Sequence, residues 1–210
     1  MERKEIEKTL TDIKEMMSKS SQFQAISGWS IIIVGLYACI AAVIAAGIIG
    51  LDIPFLHRDM GLAPLGIRIT TAIVAALLLL VISAATVTIM AYAKAKRHNL
   101  PFAFDTRMRK MMFSFNIPMV AGGLFALAMI LQGHYGLTSS IMLIFYGLAL
   151  VECQHYTYPS MRFLGYGEIV LGLIDCFVVH HALLFWFLGF GVLHILFGIL
   201  YILLYEKKSR

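Results

Sequence analysis

Hydrophobic residues fill this chain in long blocks, and its few charges are confined to the seams between them. No charge occurs from Ser20 to Leu51, from Ile69 to Ala93 or from Met111 to Val151. A helix needs about 20 apolar residues to cross the ~30 Å hydrocarbon layer of a bilayer. The first two blocks therefore predict one span each, over 28–50 and 69–93. The third is too long for one helix, and Gln132-Gly133-His134-Tyr135-Gly136 interrupts it with turn-forming residues. It divides into spans over 112–131 and 138–157. Tyr158-Pro159-Ser160 turns the chain once more, and spans over 164–179 and 183–205 follow, hinged at His180-His181. Between the first two spans, Asp52 to Arg68 carries Pro54 and Pro64 and reads as a loop.

The expected fold is thus all-α. Residues 25–210 form a polytopic membrane domain of six transmembrane helices, arranged as three tandem hairpins. Residues 1–24 precede it as a cytoplasmic amphipathic helix.

Composition agrees with that class and excludes others. Of the 210 residues, 60% are hydrophobic and 14% charged, where soluble domains carry roughly 25% charge. A soluble enzyme or a disordered chain is ruled out. The formal net charge of +5 would raise the question of nucleic acid in a soluble domain. Here the cations lie in short connections, so no nucleic-acid partner is expected. With the N-terminus inside, only Arg58 and Arg68 fall in outer loops and every other Lys and Arg falls inside. Positive charge is retained on the cytoplasmic side, which places both termini there. The basic stretch from Lys94 to Lys110 serves that topology and meets anionic headgroups. The charged first twenty residues lack an apolar core, so no cleavable signal is expected. Cys39, Cys153 and Cys176 sit in apolar segments without metal-ligand spacing and read as small hydrophobes.

In the N-terminal segment, Ile6, Leu10, Ile13 and Met17 recur at helical spacing on an otherwise charged background. Such a stripe lies on the inner leaflet, or docks a cytoplasmic protein partner or a second copy in a homo-oligomer.

The odd-numbered helices share a phrase. Gly35-Leu36-Tyr37-Ala38-Cys39, Gly123-Leu124-Phe125-Ala126-Leu127 and Gly172-Leu173-Ile174-Asp175-Cys176 occupy spans one, three and five. Phe145-Tyr146-Gly147-Leu148-Ala149 in span four echoes Gly189-Phe190-Gly191-Val192-Leu193 in span six. This pattern predicts a triplicated hairpin about an axis normal to the membrane, with Gly35, Gly123 and Gly172 equivalent. Glycines in membrane helices also serve close packing on their own account.

Gly167-Glu168-Ile169-Val170-Leu171-Gly172-Leu173, followed after a turn by Leu188-Gly189-Phe190-Gly191-Val192-Leu193-His194-Ile195-Leu196-Phe197-Gly198-Ile199, resembles a hairpin of the HdeD-like membrane proteins. Those are six-helix bacterial proteins of three such hairpins, linked to acid resistance. The chain as a whole is similar to a second family of bacterial six-helix membrane proteins, often encoded beside a winged-helix regulator. That similarity is carried by Ser21-Gln22-Phe23 with Ser27-Gly28, by Ile117-Pro118-Met119-Val120-Ala121-Gly122-Gly123 and by Leu143-Ile144-Phe145-Tyr146-Gly147-Leu148-Ala149-Leu150. These resemblances imply a bacterial inner-membrane protein with a role in stress response, or as a sensor or adaptor.

Ionisable residues inside spans are costly and by default functional candidates. Glu152, His155, Glu168, Asp175 and His194 form the candidate polar intramembrane cluster. Counted from the outer turn near His180, Glu168 and His194 lie at one depth on antiparallel helices. A carboxylate–imidazole pair within hydrogen-bonding reach is expected there. Burial favours its neutral form and mutual attraction its ionic form. Asp175 follows Glu168 by two helical turns on the same face. Glu152 and His155 form a Glu-x-x-His pair, but metal-binding bundles need such a pair twice, so no metal is expected. His134, His180 and His181 read as turn residues, and no cofactor is expected. Hydrolase, zincin and phosphate-loop motifs are missing from the sequence. The reading is a non-enzymatic, proton-responsive membrane protein. The alternative is a small transporter or channel for protons, metal ions or a small solute passing Glu168, Asp175 and Glu152. A sealed cluster favours the first reading and a continuous wet path the second.

Overall fold

The computed structural model describes residues 27–49, 64–97, 106–157, 160–178 and 181–206. The stripe Ile6, Leu10, Ile13 and Met17, the 1–24 segment and most of the first loop lie outside the described residues. What is described is helical throughout. In chain order the helices are α1 (Gly28–Ile49), α2 (Leu65–Arg97), α3 (Thr106–Leu131), α4 (Thr138–Glu152), α5 (Met161–Asp175) and α6. The last begins as Ala182–Trp186, widens to a π-helical turn over Phe187–Leu193, returns to α geometry in His194–Tyr201 and widens again over Ile202–Glu206.

Five of these helices are long and apolar enough to cross a membrane: Gly28–Gly47, Ile69–Arg97, Met108–Leu131, Tyr135–Glu152 and Ala182–Leu204. Helix α5 has 15 residues, about 22 Å at 1.5 Å per residue, and falls short of the ~30 Å layer. It differs from the 164–179 span by starting three residues earlier and stopping at Asp175, where the chain turns through Cys176 and Phe177. Span four likewise ends as an α-helix at Glu152 and tightens through Cys153–His155.

The expected break after span three is a glycine-terminated helix end. Gly133 takes φ +81, a conformation open to glycine at little cost. The amides of Gly133 and His134 then reach back to the carbonyls of Ile130 and Met129, at 3.0 and 2.8 Å, so the last carbonyls of α3 are satisfied. On the outer helices, exposed polar side chains are satisfied within their own helix, as an apolar surround demands. Thr70, Thr71, Thr86 and Thr88 donate to carbonyls four residues back on α2, and the Asn116 amide does the same on α3.

Two seams hold the bundle together, and both are built from small residues seven apart. Helices α1 and α6 run antiparallel. A Cβ at Gly28 would lie 3.0 Å from the Gly198 carbonyl oxygen, and one at Gly35 2.9 Å from that of Gly191. Helices α4 and α5 repeat the arrangement. A Cβ at Gly147 would lie 2.6 Å from the Gly165 carbonyl, one at Gly165 2.7 Å from that of Gly147, and one at Gly172 3.0 Å from that of Ser140. Backbones this close gain dispersion contacts that larger residues would forbid, which is how helices associate where lipid removes the hydrophobic drive. Both seams join helices of different hairpins. Helix α2 adds to α1, burying Ala91 and Ala95, and α3 adds to α4.

The proposed equivalence of Gly35, Gly123 and Gly172 is corrected by these contacts. Gly35 and Gly172 lie at crossings, whereas Gly123 is exposed with nothing within 4 Å of a Cβ. The glycine of α3 that packs is Gly122, against the Phe145 ring. One residue of helix is a rotation of about 100°, enough to turn Gly123 outward. The echo between spans four and six is shifted as well, since Gly147 corresponds in its seam to Gly198 rather than to Gly191.

Candidate functional site

The two seams bring α4, α5 and α6 against one another, and their facing polar side chains are buried there. Glu168 and Asp175 are 0% exposed and His194 is 2% exposed. Glu168 and Asp175 are two turns apart on α5, on the face packed against α4.

Glu168 and His194 meet, as their shared depth leads one to expect. Oε1 of Glu168 lies 3.2 Å from Nδ1 of His194. That separation is within ion-pair range, yet neither carboxyl oxygen of Glu168 accepts a hydrogen bond from a described residue. The direction of the N–H resolves the discrepancy. Nδ1 carries one hydrogen, and it points to the carbonyl oxygen of Gly189 at 3.0 Å. At the other ring nitrogen, Tyr146 Oη lies 2.9 Å from Nε2. With Nδ1–H donated to Gly189, a neutral imidazole accepts the Tyr146 hydroxyl at Nε2, and both ring nitrogens are satisfied. Tyr146 and Phe190 stack on the ring, with Phe115 and Trp186 behind them. Glu168 is left beside the imidazole, inside the bundle, without a donor. Burying a polar group without a compensating hydrogen bond is costly.

Asp175 is held differently. Its Oδ2 accepts the hydroxyls of Ser139 and Ser140, the latter at 2.8 Å. Both serines belong to the first turn of α4. Oδ1 has no partner among the described residues.

Glu152 does not join this cluster. Glu152 is exposed at the far end of α4, eight residues past Ile144, which touches the Gly172 side of α5. The backbone of His155 closes that helix, and its side chain lies outside the described residues. No group of three or more His, Cys, Asp or Glu that could hold a metal occurs among the described residues.

Four participants escaped the sequence reading: Tyr146, Ser139, Ser140 and Gly189. A signal for two of them was present. Ser139 and Tyr146 are seven apart on α4, as Asp175 and Glu168 are on α5. Two antiparallel helices in contact pair residues whose numbers sum to a constant, so one polar step opposite another is a matched pattern.

No family model, curated protein or solved structure matches the chain.

Chemically, the cluster sets a carboxyl group with no donor among the described residues beside an imidazole with two partners. It is also divided. Leu143, fully buried, stands on α4 one turn from Ser140 and one turn from Tyr146. Its side chain fills the space beside Gly172 and Gly189, between the Asp175 and Glu168 ends of the site.

Proposed function

We propose that this is a six-span protein of the bacterial inner membrane, with both termini cytoplasmic, that responds to protons through Glu168 and His194. It acts without enzymatic chemistry, as a stress-related sensor or adaptor of HdeD-like build. The observation that carries this reading is Glu168 itself, a fully buried carboxyl group with no hydrogen-bond donor among the described residues, 3.2 Å from an imidazole. A group so placed changes charge only if its surroundings change with it, and that is the property a proton sensor needs. Leu143, packed between the two acidic ends, supports sensing over conduction. In this reading the sixth crossing is α5, supported by its two buried acids and its glycine seam with α4.

The test is infrared difference spectroscopy on the full chain in lipid nanodiscs between about pH 5 and about pH 8, the range in which imidazole-linked switches operate. A carboxylic-acid C=O band that disappears as pH rises, and is missing in Glu168→Gln, is the expected result. If no Glu168 band titrates, the sensor reading fails. A proton flux into dye-loaded vesicles that Glu168→Gln abolishes would favour the transporter reading instead.

A further inference from the structure

Helix α6 departs from α geometry beside this cluster. Phe187–Leu193 is a π-helical turn, and such turns inside α-helices are rare and collect at functional sites. A π turn holds one residue more than the α turn it replaces. Rewinding it would advance the rest of the helix by about 1.5 Å and 100°.

Gly189 lies within this turn and touches both members of the pair. Its carbonyl accepts the side-chain Nδ1–H of His194, the residue that follows the turn. Its Cα faces Glu168, since a Cβ there would lie 2.6 Å from Oε2 and would overlap Leu143. Just beyond, the turn rests on α1. Gly191 packs against Cys39 Sγ, and Gly35 packs against Cβ of His194.

We infer that the π turn of α6 is the moving part of the Glu168–His194 switch, an inference that rests on the proton-responsive reading of Glu168. While Glu168 is uncharged, Nδ1–H stays on the Gly189 carbonyl and the turn stays wide. When Glu168 gives its proton to water, its carboxylate becomes the stronger acceptor, because charged acceptors form hydrogen bonds about twice as strong as neutral ones. Oε1 is already 3.2 Å from Nδ1, and the N–H swings to it. The Gly189 carbonyl is then free to take a backbone amide, and α6 rewinds and slides on α1 at Gly35 and Gly191. The groups that face Glu168 favour this path. His194 comes from α6 and Tyr146 from α4, its hydroxyl committed to Nε2. Cys39 on α1 sits behind Gly191, and Asp175 on α5 is held two turns away by Ser139 and Ser140. None of these is a permanent cation, so the new charge draws on the imidazole.

The experiment places spin labels, as unnatural amino acids, at Leu184 and Leu196, exposed positions on either side of the turn, in the full chain in nanodiscs. Distances are measured beside the infrared titration. The inter-label distance is expected to shift by more than about 2 Å, given the rotation and rise of one residue, in step with loss of the Glu168 acid band. In Glu168→Gln it should stay at the low-pH value. If the band titrates while the distance holds, the π turn is not the moving part and the sensor reading stands alone. If no band titrates, both fall. A pH-dependent shift that persists in Glu168→Gln assigns the movement to another group and overturns the inference.

Discussion

Two carboxyl groups on one face of α5, two turns apart and equally buried, have opposite surroundings. Asp175 sits at the first turn of α4 and receives two hydroxyls, while Glu168 receives none and lies beside an imidazole whose N–H is engaged elsewhere. Burial is the same, so burial does not separate the two acids. Donor supply does. Asp175 ties α5 to α4, and Glu168, in the proposed reading, has room for two states. Gly172 lets the Ser140 backbone approach α5 at the Asp175 end, and on α6 Gly189 makes space for Glu168.

The largest effect expected from breaking this contrast is at the structural acid. Asp175→Ala removes an acceptor and leaves the Ser139 and Ser140 hydroxyls buried without it. A buried donor left unsatisfied costs about 1–3 kcal/mol, so a loss of about 2–3 kcal/mol is expected in steric-trap unfolding in bicelles. A loss no greater than that of Glu168→Gln would show that the two acids are alike after all. For Glu168→Gln itself, a change within about 1 kcal/mol is expected, since the acid makes no hydrogen bond to lose and membrane hydrogen bonds average about 0.6 kcal/mol.

The sequence carried the helices and part of the site, for reasons that can be named. Charge-free blocks mark helices because a membrane core excludes charge, and the break at Gly133 falls where turn residues interrupt a block, whereas α5 stops at Asp175 and turns through Cys176 and Phe177, which carry no turn signal. Counting depth from a turn put Glu168 opposite His194, since rise per residue is nearly constant. Which helices are neighbours was not legible. Glycine phrases recur in α1, α3 and α5, but only the rotation of each helix decides whether Gly35 or Gly123 meets another backbone. Glu152 was drawn into the cluster on polarity alone, although it stands at a helix end. Tyr146 was passed over because a tyrosine in an apolar helix reads as packing until its hydroxyl is given a partner.

The smallest effect expected is at that hydroxyl, and it sharpens the contrast most. Tyr146 Oη is 2.9 Å from Nε2 of His194, and this contact selects the tautomer that keeps Nδ1–H on Gly189. Tyr146→Phe preserves the ring and its stacking with Phe190 and His194 while deleting the O–H. Stability should fall by only about 0.6 kcal/mol, as single membrane hydrogen bonds do. The imidazole, however, loses the donor that held Nε2 as an acceptor. In ¹⁵N spectra of the ring, the wild-type chain should show the Nδ1–H tautomer alone near neutral pH, and Tyr146→Phe a mixture of both. A single unchanged tautomer in the variant would mean that Gly189 alone orients the ring, and that the responsive site needs nothing from α4. The comparable change at the other acid, Ser140→Ala, should leave the His194 spectrum untouched, because Leu143 separates the two ends and Asp175 keeps the Ser139 hydroxyl.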